Sequence, residues 1–255
     1  VSLRPPLAAL TLIAAYYCQR NGGGPMYLMM FDVDGTLTES YAYDQQAYAN
    51  AFFDVTGCRE VNTDWHTYRH VTSHGITAEA IRNLMGREAQ PAEIMAVEPA
   101  MLVRLQGLYL RSPALFCEVA GAAAFLQYLH TRNDVAIAIA TGCWRSEALF
   151  KLQASGIDID GIPLASSEDG ASRIEIMKAS AGMALRGTNN RCFERVIYFG
   201  DGLWDLKAAA ELGYQFIGIG QRLAPLRAAG AADLCRDYGD RDGLARLLAG
   251  KPPCE

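Results

Sequence analysis

Short, uninterrupted apolar runs recur along the chain, and each is closed by small or acidic residues. Tyr27–Phe31 (YLMMF), Val135–Ala140 (VAIAIA), Val196–Phe199 (VIYF) and Phe216–Ile219 (FIGI) have this form, and a weaker one covers Ile162–Ala165. Runs of this length without alternation suit strands buried on both faces. Between them the apolar positions change to helical spacing. Phe125, Leu126 and Leu129 share one face of Ala120–His130, and Arg145–Ser155 stops at Gly156, a residue suited to the left-handed turn beyond a helix. Ile174–Leu185 and Leu206–Leu212 read as two more helices, the second ending at Gly213. Strands alternating with helices predict an α/β fold, a Rossmann-like, mainly parallel sheet covered on both sides.

The segment from Tyr43 to Cys117 breaks this rhythm and contains no good strand. Asp44–Val55 carries Tyr48, Ala51 and Phe52 at helical spacing. Thr63 is placed to cap a helix running to about Thr72, Thr77 to cap another that stops near Gly86, and Pro91 to open a long one through Leu110. Four helices inserted after the first strand predict an all-helical lid. The expected division is therefore a core of residues 26–42 and 118–255, a helical cap of 43–117, and an N-terminal extension of 1–25. That extension reads as disordered or foreign to the working protein. A signal peptide is the alternative for its apolar Leu7–Cys18, though no A-x-A cleavage site follows.

Composition narrows the class. A chain of 255 residues, half hydrophobic and a fifth charged, can build a large core. Its net charge of −5, with no basic run, argues against nucleic acid or an anionic membrane as partner. Seven cysteines without a C-x-x-C pair fit reduced thiols and a cytoplasmic location.

Ligands of an open parallel sheet bind beyond the carboxyl ends of its strands. The residues that follow the apolar runs are Asp32, Asp34, Gly35 and Thr36; then Thr141 and Gly142; then Gly200, Asp201, Gly202 and Asp205. Carboxylates converging on one point repel unless a cation or proton intervenes. An oxygen-only set suits Mg²⁺, which takes one or two carboxylates plus substrate phosphate.

These segments carry a resemblance. The D-x-D-G-T-L of Asp32–Leu37, Thr141-Gly142 after VAIAIA, and the GDG-x-x-D of Gly200–Asp205 resemble motifs I, II and IV of the haloacid dehalogenase (HAD) superfamily, and the insert resembles its C1 cap. The match spans Met26 to about Leu248 and is nearest the phosphoglycolate-phosphatase-like branch. It implies Asp32 as nucleophile, forming an aspartyl-phosphate, and Asp34 as acid and base. It implies Mg²⁺ on Asp32, the Asp34 carbonyl and Asp201, with Asp205 behind, and Thr141 and Gly142 as phosphate holders beside Gly35 and Thr36. Motif III is normally a lysine. In SSEDGASRIEIMKAS, Arg173 stands where it would precede the helix and Lys178 lies one turn later; Arg173 is the preferred cation because it keeps a fixed charge.

Within that family, the paired Asp34 and acidic motif IV favour a phosphate ester over a haloacid. Residues 43–117 contain no lysine for a Schiff base, which argues against a phosphonatase. The expected activity is a Mg²⁺-dependent phosphatase acting on a small phosphorylated metabolite; a sugar phosphomutase and a non-catalytic phosphate-binding protein are the alternatives. Substrate choice is expected in the cap, where Arg69, His70 and Thr72 are candidate contacts. His66, His70 and His74, spaced four apart, would share one face if their segment were helical.

Overall fold

The computed structural model describes residues 26–41, 43–240 and 243–244. The expected N-terminal extension lies outside them. Six strands, β1 (Tyr27–Phe31), β2 (Val135–Ala140), β3 (Leu164–Ala165), β4 (Arg195–Gly200), β5 (Gln215–Ile219) and β6 (Asp233–Cys235), form one wholly parallel sheet in the order β3-β2-β1-β4-β5-β6. β1 lies at its centre, and its alternation shows why the run is apolar throughout. Met29 and Phe31 point into one layer, with Phe125, Leu126 and Leu129 of α4 (Ala122–His130). Leu28 and Met30 point into the other, with Ile176 and Met177 of α6 (Arg173–Arg186) and Ala208 and Ala209 of α7 (Leu203–Leu212). Phe31 stacks on Phe199 at 4.6 Å between ring centres.

The register places chemistry at one edge. Phe31 is aligned with Ile139 of β2 and with Phe199 of β4. The residues just beyond these three strands, Asp32, Thr141 and Asp201, therefore leave the sheet side by side.

Three helices follow β1 directly: α1 (Asp44–Thr56), α2 (Ser73–Met85) and α3 (Pro91–Arg111). They share their own core, in which Phe52, Ile81, Val97 and Leu105 are fully buried. Trp144, which precedes α5 (Arg145–Ala154) of the main sheet layer, inserts into that core and joins the two parts.

The insert differs from expectation in one stretch. Residues 63–72 are not a helix; only Trp65–Thr67 forms a single 3₁₀ turn. Local side-chain bonds win there: the Asn62 side chain accepts from Asp64 N at 2.9 Å and donates to Thr67, and Asp64 accepts from His66 N. Tyr68 is then extended. The next helix begins at Ser73, capped by Thr72, whose hydroxyl accepts from Gly75 N at 3.1 Å. Thr77, expected as the cap, is buried inside α2 against the Tyr48 hydroxyl at 2.9 Å. The insert thus has three helices, not four. The short α8 (Leu223–Ala228) and β6 were not anticipated, because neither carries a long apolar pattern. Among the described residues no helix is long and apolar enough to cross a membrane.

Candidate active site

Asp32 continues β1 for one more residue: its N–H donates to Phe199 O at 2.9 Å, and its side chain is buried. One carboxylate oxygen accepts from Arg173 Nη1 at 3.1 Å. Arg173 is the first residue of α6. A reciprocal capping box fixes that helix start: Ser172 Oγ accepts from Glu175 N, and the Glu175 side chain accepts from Ser172 N. The guanidinium also pairs with Asp205, Nε to Oδ1 at 3.2 Å. Lys178, five residues on, lies about 140° further round the helix and is exposed. The cation that meets Asp32 is therefore Arg173.

Asp201 and Asp205 come from the turn after β4. Asp205 accepts from Gly202 N at 3.1 Å and from the Tyr198 hydroxyl at 3.2 Å. Tyr41 donates to Asp201. Oxygens of Asp32, Asp201 and Asp205 all lie within 4.8 Å of one another. Burial, opposed by Arg173 and reinforced by Asp205 and Asp34, pushes Asp32 up to about 7. Burial with the charges of Asp205, Asp32 and Asp34 pushes Asp201 far above the carboxylate range. One guanidinium thus faces three buried carboxylates, and the group left without a counter-charge holds its proton tightly. A hard divalent cation satisfies such an all-oxygen set by taking the place of that proton. Gly35 makes the approach feasible. Its φ of +72° is open to glycine, and a Cβ there would stand 2.3 Å from Asp201 Oδ2.

Thr141 and Gly142 follow β2 at the other side of Asp32. Thr141 is buried, with its N–H on Ala165 O at 3.0 Å. A Cβ on Gly142 would lie 2.6 Å from Val71 O and 3.1 Å from Arg173 Nη2. Gly142 O also accepts from Ser73 N at 2.7 Å, so the start of α2 docks on this loop. Thr36 is fully buried and its hydroxyl has no partner.

Asp34 faces a second charged group that the sequence reading missed. Its Oδ1 accepts from Lys151 Nζ at 2.8 Å and its Oδ2 from the Cys143 thiol at 2.6 Å. Lys151, on α5, is wholly buried and also binds Glu147 Oε1 at 2.6 Å and Asp44, the first residue of α1. Burial pushes Asp34 up, but Lys151, Cys143 and Ser40 outweigh it and hold the carboxyl below its usual value. Burial together with Asp44 and Asp34, against the opposing Lys151, leaves Glu147 at about 8. Cys143 is pushed well up by burial and by these acids, so it stays a thiol. The available signal was Glu147 and Lys151 one turn apart on a helix. That spacing ordinarily marks a surface pair.

Asp32, Asp34, Thr141, Gly142, Arg173 and Asp201 open on one cleft, with about 80 Å³ of free volume, under Tyr48, Trp65, Val71, Thr72, Ile76 and Met101 of the insert. Thr72 is there, but its hydroxyl is engaged as the α2 cap. Arg69 is exposed, its N–H on Glu79, and His70 is half-buried; neither lines this cleft. The three histidines diverge: His66 packs near Trp204, and His74 bonds Ser167 at 2.9 Å.

A family model described as haloacid dehalogenase-like hydrolase matches residues 28–213. The chain belongs to that family. Solved structures with this HAD-like fold include a hydrolase from Pseudomonas syringae (21% identity, 90% of this chain and 100% of that one, TM-score 0.65). CbbY from Rhodobacter sphaeroides, in complex with phosphate, is 23% identical over 86% of this chain and 98% of its own, with TM-score 0.60. A protein described as a predicted phosphoglycolate phosphatase from Haemophilus somnus is 16% identical over 88% and 100%, with TM-score 0.59. At these identities the likeness is one of fold. No curated protein sequence matches the chain.

Proposed function

We propose that this HAD-like hydrolase is a Mg²⁺-dependent phosphatase that cleaves a small phosphate monoester through an aspartyl-phosphate. The observation that carries the reading is Asp32. It is held by Arg173 on one side and crowded by Asp201 and Asp205 on another, and it opens on a cleft shared with Asp34, Thr141 and Gly142.

The residues divide the work as follows. A carboxylate oxygen of Asp32 attacks phosphorus, and the bond from phosphorus to the ester oxygen breaks. Asp34 gives its proton to the departing alkoxide. It then takes a proton from water, whose oxygen attacks phosphorus and displaces Asp32, releasing inorganic phosphate and leaving Asp34 protonated again. Asp34 rests ionised under the influence of Lys151. A phosphoryl dianion arriving beside it raises its proton affinity, so substrate binding itself loads the acid. Arg173, Thr141 and the Gly142 amide hold the phosphoryl oxygens; Thr36, fully buried, does not line the cleft.

Asp32, Asp201 and the Asp34 carbonyl would hold Mg²⁺, with Asp205 orienting them from behind. When bound, the ion neutralises the carboxylate cluster and the incoming phosphate charge. The described residues of 26–42 and 118–255 serve as the catalytic core and 43–117 as its cap; residues 42, 241–242 and 245–255 lie outside the described ones. The free thiols of Cys58, Cys117, Cys143 and Cys235 suit the cytoplasm.

The test is release of p-nitrophenol from p-nitrophenyl phosphate with and without Mg²⁺, beside the Asp32→Asn variant. Metal-dependent turnover that falls by at least about a thousandfold in the variant is expected. Wild-type protein inert with Mg²⁺ would refute the reading, and transfer of phosphate to a second sugar hydroxyl instead of water would favour a mutase.

A further inference from the structure

The cap wall says what kind of alcohol the phosphate is attached to. Above the phosphoryl site the cleft is closed by Tyr48, Trp65, Val71, Ile76 and Met101, an apolar surface contributed by α1, α2, α3 and the 3₁₀ turn. The polar contributions of the cap are uncharged, Gln45, Thr72 and Ser73, apart from Asp44, which is tied to Lys151.

Residues 43–117 contain six arginines and no lysine, and none of the six reaches the cleft. Arg59 lies over the Phe53 ring at 3.9 Å, Arg82 pairs with Glu88, Arg87 with Glu93 and Arg104 with Asp54. Arg69 and Arg111 are exposed. The floor adds the carboxylates of Asp34, Asp201 and Glu147. Arg173 is already shared between Asp32 and Asp205. Lys151, the cation behind the floor, is wholly buried and spent on Asp34, Asp44 and Glu147. Arg222 belongs to the outer mouth, where it stacks over Tyr41 at 3.9 Å.

A second anionic group on the substrate would thus enter a chamber of apolar and acidic walls. It would lose its hydration and gain no counter-charge. The inner cleft, about 80 Å³ of free volume, has room for the phosphoryl group and the first carbons of the alcohol, and past Gln45, Trp65 and Trp204 it meets the outer mouth.

On the phosphatase reading, on which this rests, we infer that the substrate is the monophosphate of a small, uncharged, largely apolar alcohol. Carboxylated and doubly phosphorylated substrates are selected against by Tyr48, Trp65, Val71, Ile76 and Met101.

The test compares kcat/KM for propyl phosphate with that for phosphoglycolate, similar in size but carrying a carboxylate, and for 1,3-propanediol bisphosphate. p-Nitrophenyl phosphate serves as the common reference. Propyl phosphate should be favoured over either by about 30-fold or more. Gln45→Lys, at a cap position that lines the cleft and is exposed enough to accept a charge, should narrow the gap to phosphoglycolate by about tenfold. Equal or better turnover of phosphoglycolate or of the bisphosphate by the wild type would overturn the inference, as would a gap that Gln45→Lys leaves unchanged. If p-nitrophenyl phosphate itself is not cleaved, it is the phosphatase reading that has failed.

Discussion

Lys151→Met removes the ammonium and keeps most of the side-chain length and apolar volume. What remains is Asp34, Asp44 and Glu147 around one buried point, with no cation among them. Deleting one partner of a buried ion pair costs about 3–5 kcal/mol, because the other charge stays buried and unpaired. Here the side chains of Asp34 and Asp44 keep 25% and 20% of their exposure, so water softens the repulsion, and the lower end, about 3 kcal/mol, is expected at pH 8. The pH dependence has a definite sign. Glu147 is raised to about 8 even beside Lys151. A carboxyl with a raised folded-state pKa favours the fold below its unfolded value and loses that contribution as pH climbs to the folded one. Without Lys151 the carboxyls of Glu147 and Asp44 are raised further, and Asp34 loses the charge that holds it down. At pH 5 they take up protons and much of the loss returns. Urea denaturation of wild type and variant at pH 5 and pH 8 reads this directly. A loss under about 1 kcal/mol at pH 8, or the same loss at both values, would show that the Lys151 cluster is not the charge-balanced unit described.

Arg173 is the largest influence holding Asp32 down, so Arg173→Met should move the acid limb of the kcat/KM profile to higher pH as well as lowering activity; an unmoved limb would place the charge balance elsewhere. Gly35→Ala forces a Cβ to within 2.3 Å of Asp201 Oδ2 in a left-handed backbone, so Mg²⁺ titrations of activity should shift to about tenfold higher concentration, beyond a folding cost of about 1–2 kcal/mol; an unchanged metal requirement would contradict the placement of Asp201. Thr72→Ala removes the α2 cap and should lower stability by about 1 kcal/mol in thermal unfolding, and no change would mean that the Gly75 N–H finds another acceptor.

The alternating elements, the parallel sheet and the edge to which Asp32, Asp34, Thr141, Asp201 and Asp205 belong were all legible in the linear pattern. The reason is general: a fully buried strand must be apolar throughout, and a parallel sheet presents all its carboxyl ends on one side. The expected helix over residues 63–72 rested on Thr63 as a cap, while Asn62 and Asp64 had local bonds available that a capping argument does not weigh.

Pairings between distant segments belong to the tertiary structure alone. The sequence favours Arg173 over Lys178 by position and fixed charge, but it is the orientation of α6 against β1 that brings the first to Asp32 and leaves the second exposed. Lys151 and Asp34 stand 117 residues apart. Nothing local marks that lysine as buried, because its burial is stable only when carboxylates from the β1 turn, from α1 and from its own helix converge on it. The apolar cap wall has the same origin. The sequence does not tell where the six arginines of the insert point; in the fold Arg59, Arg82, Arg87 and Arg104 are packed or paired away from the cleft, and Arg69 and Arg111 are exposed.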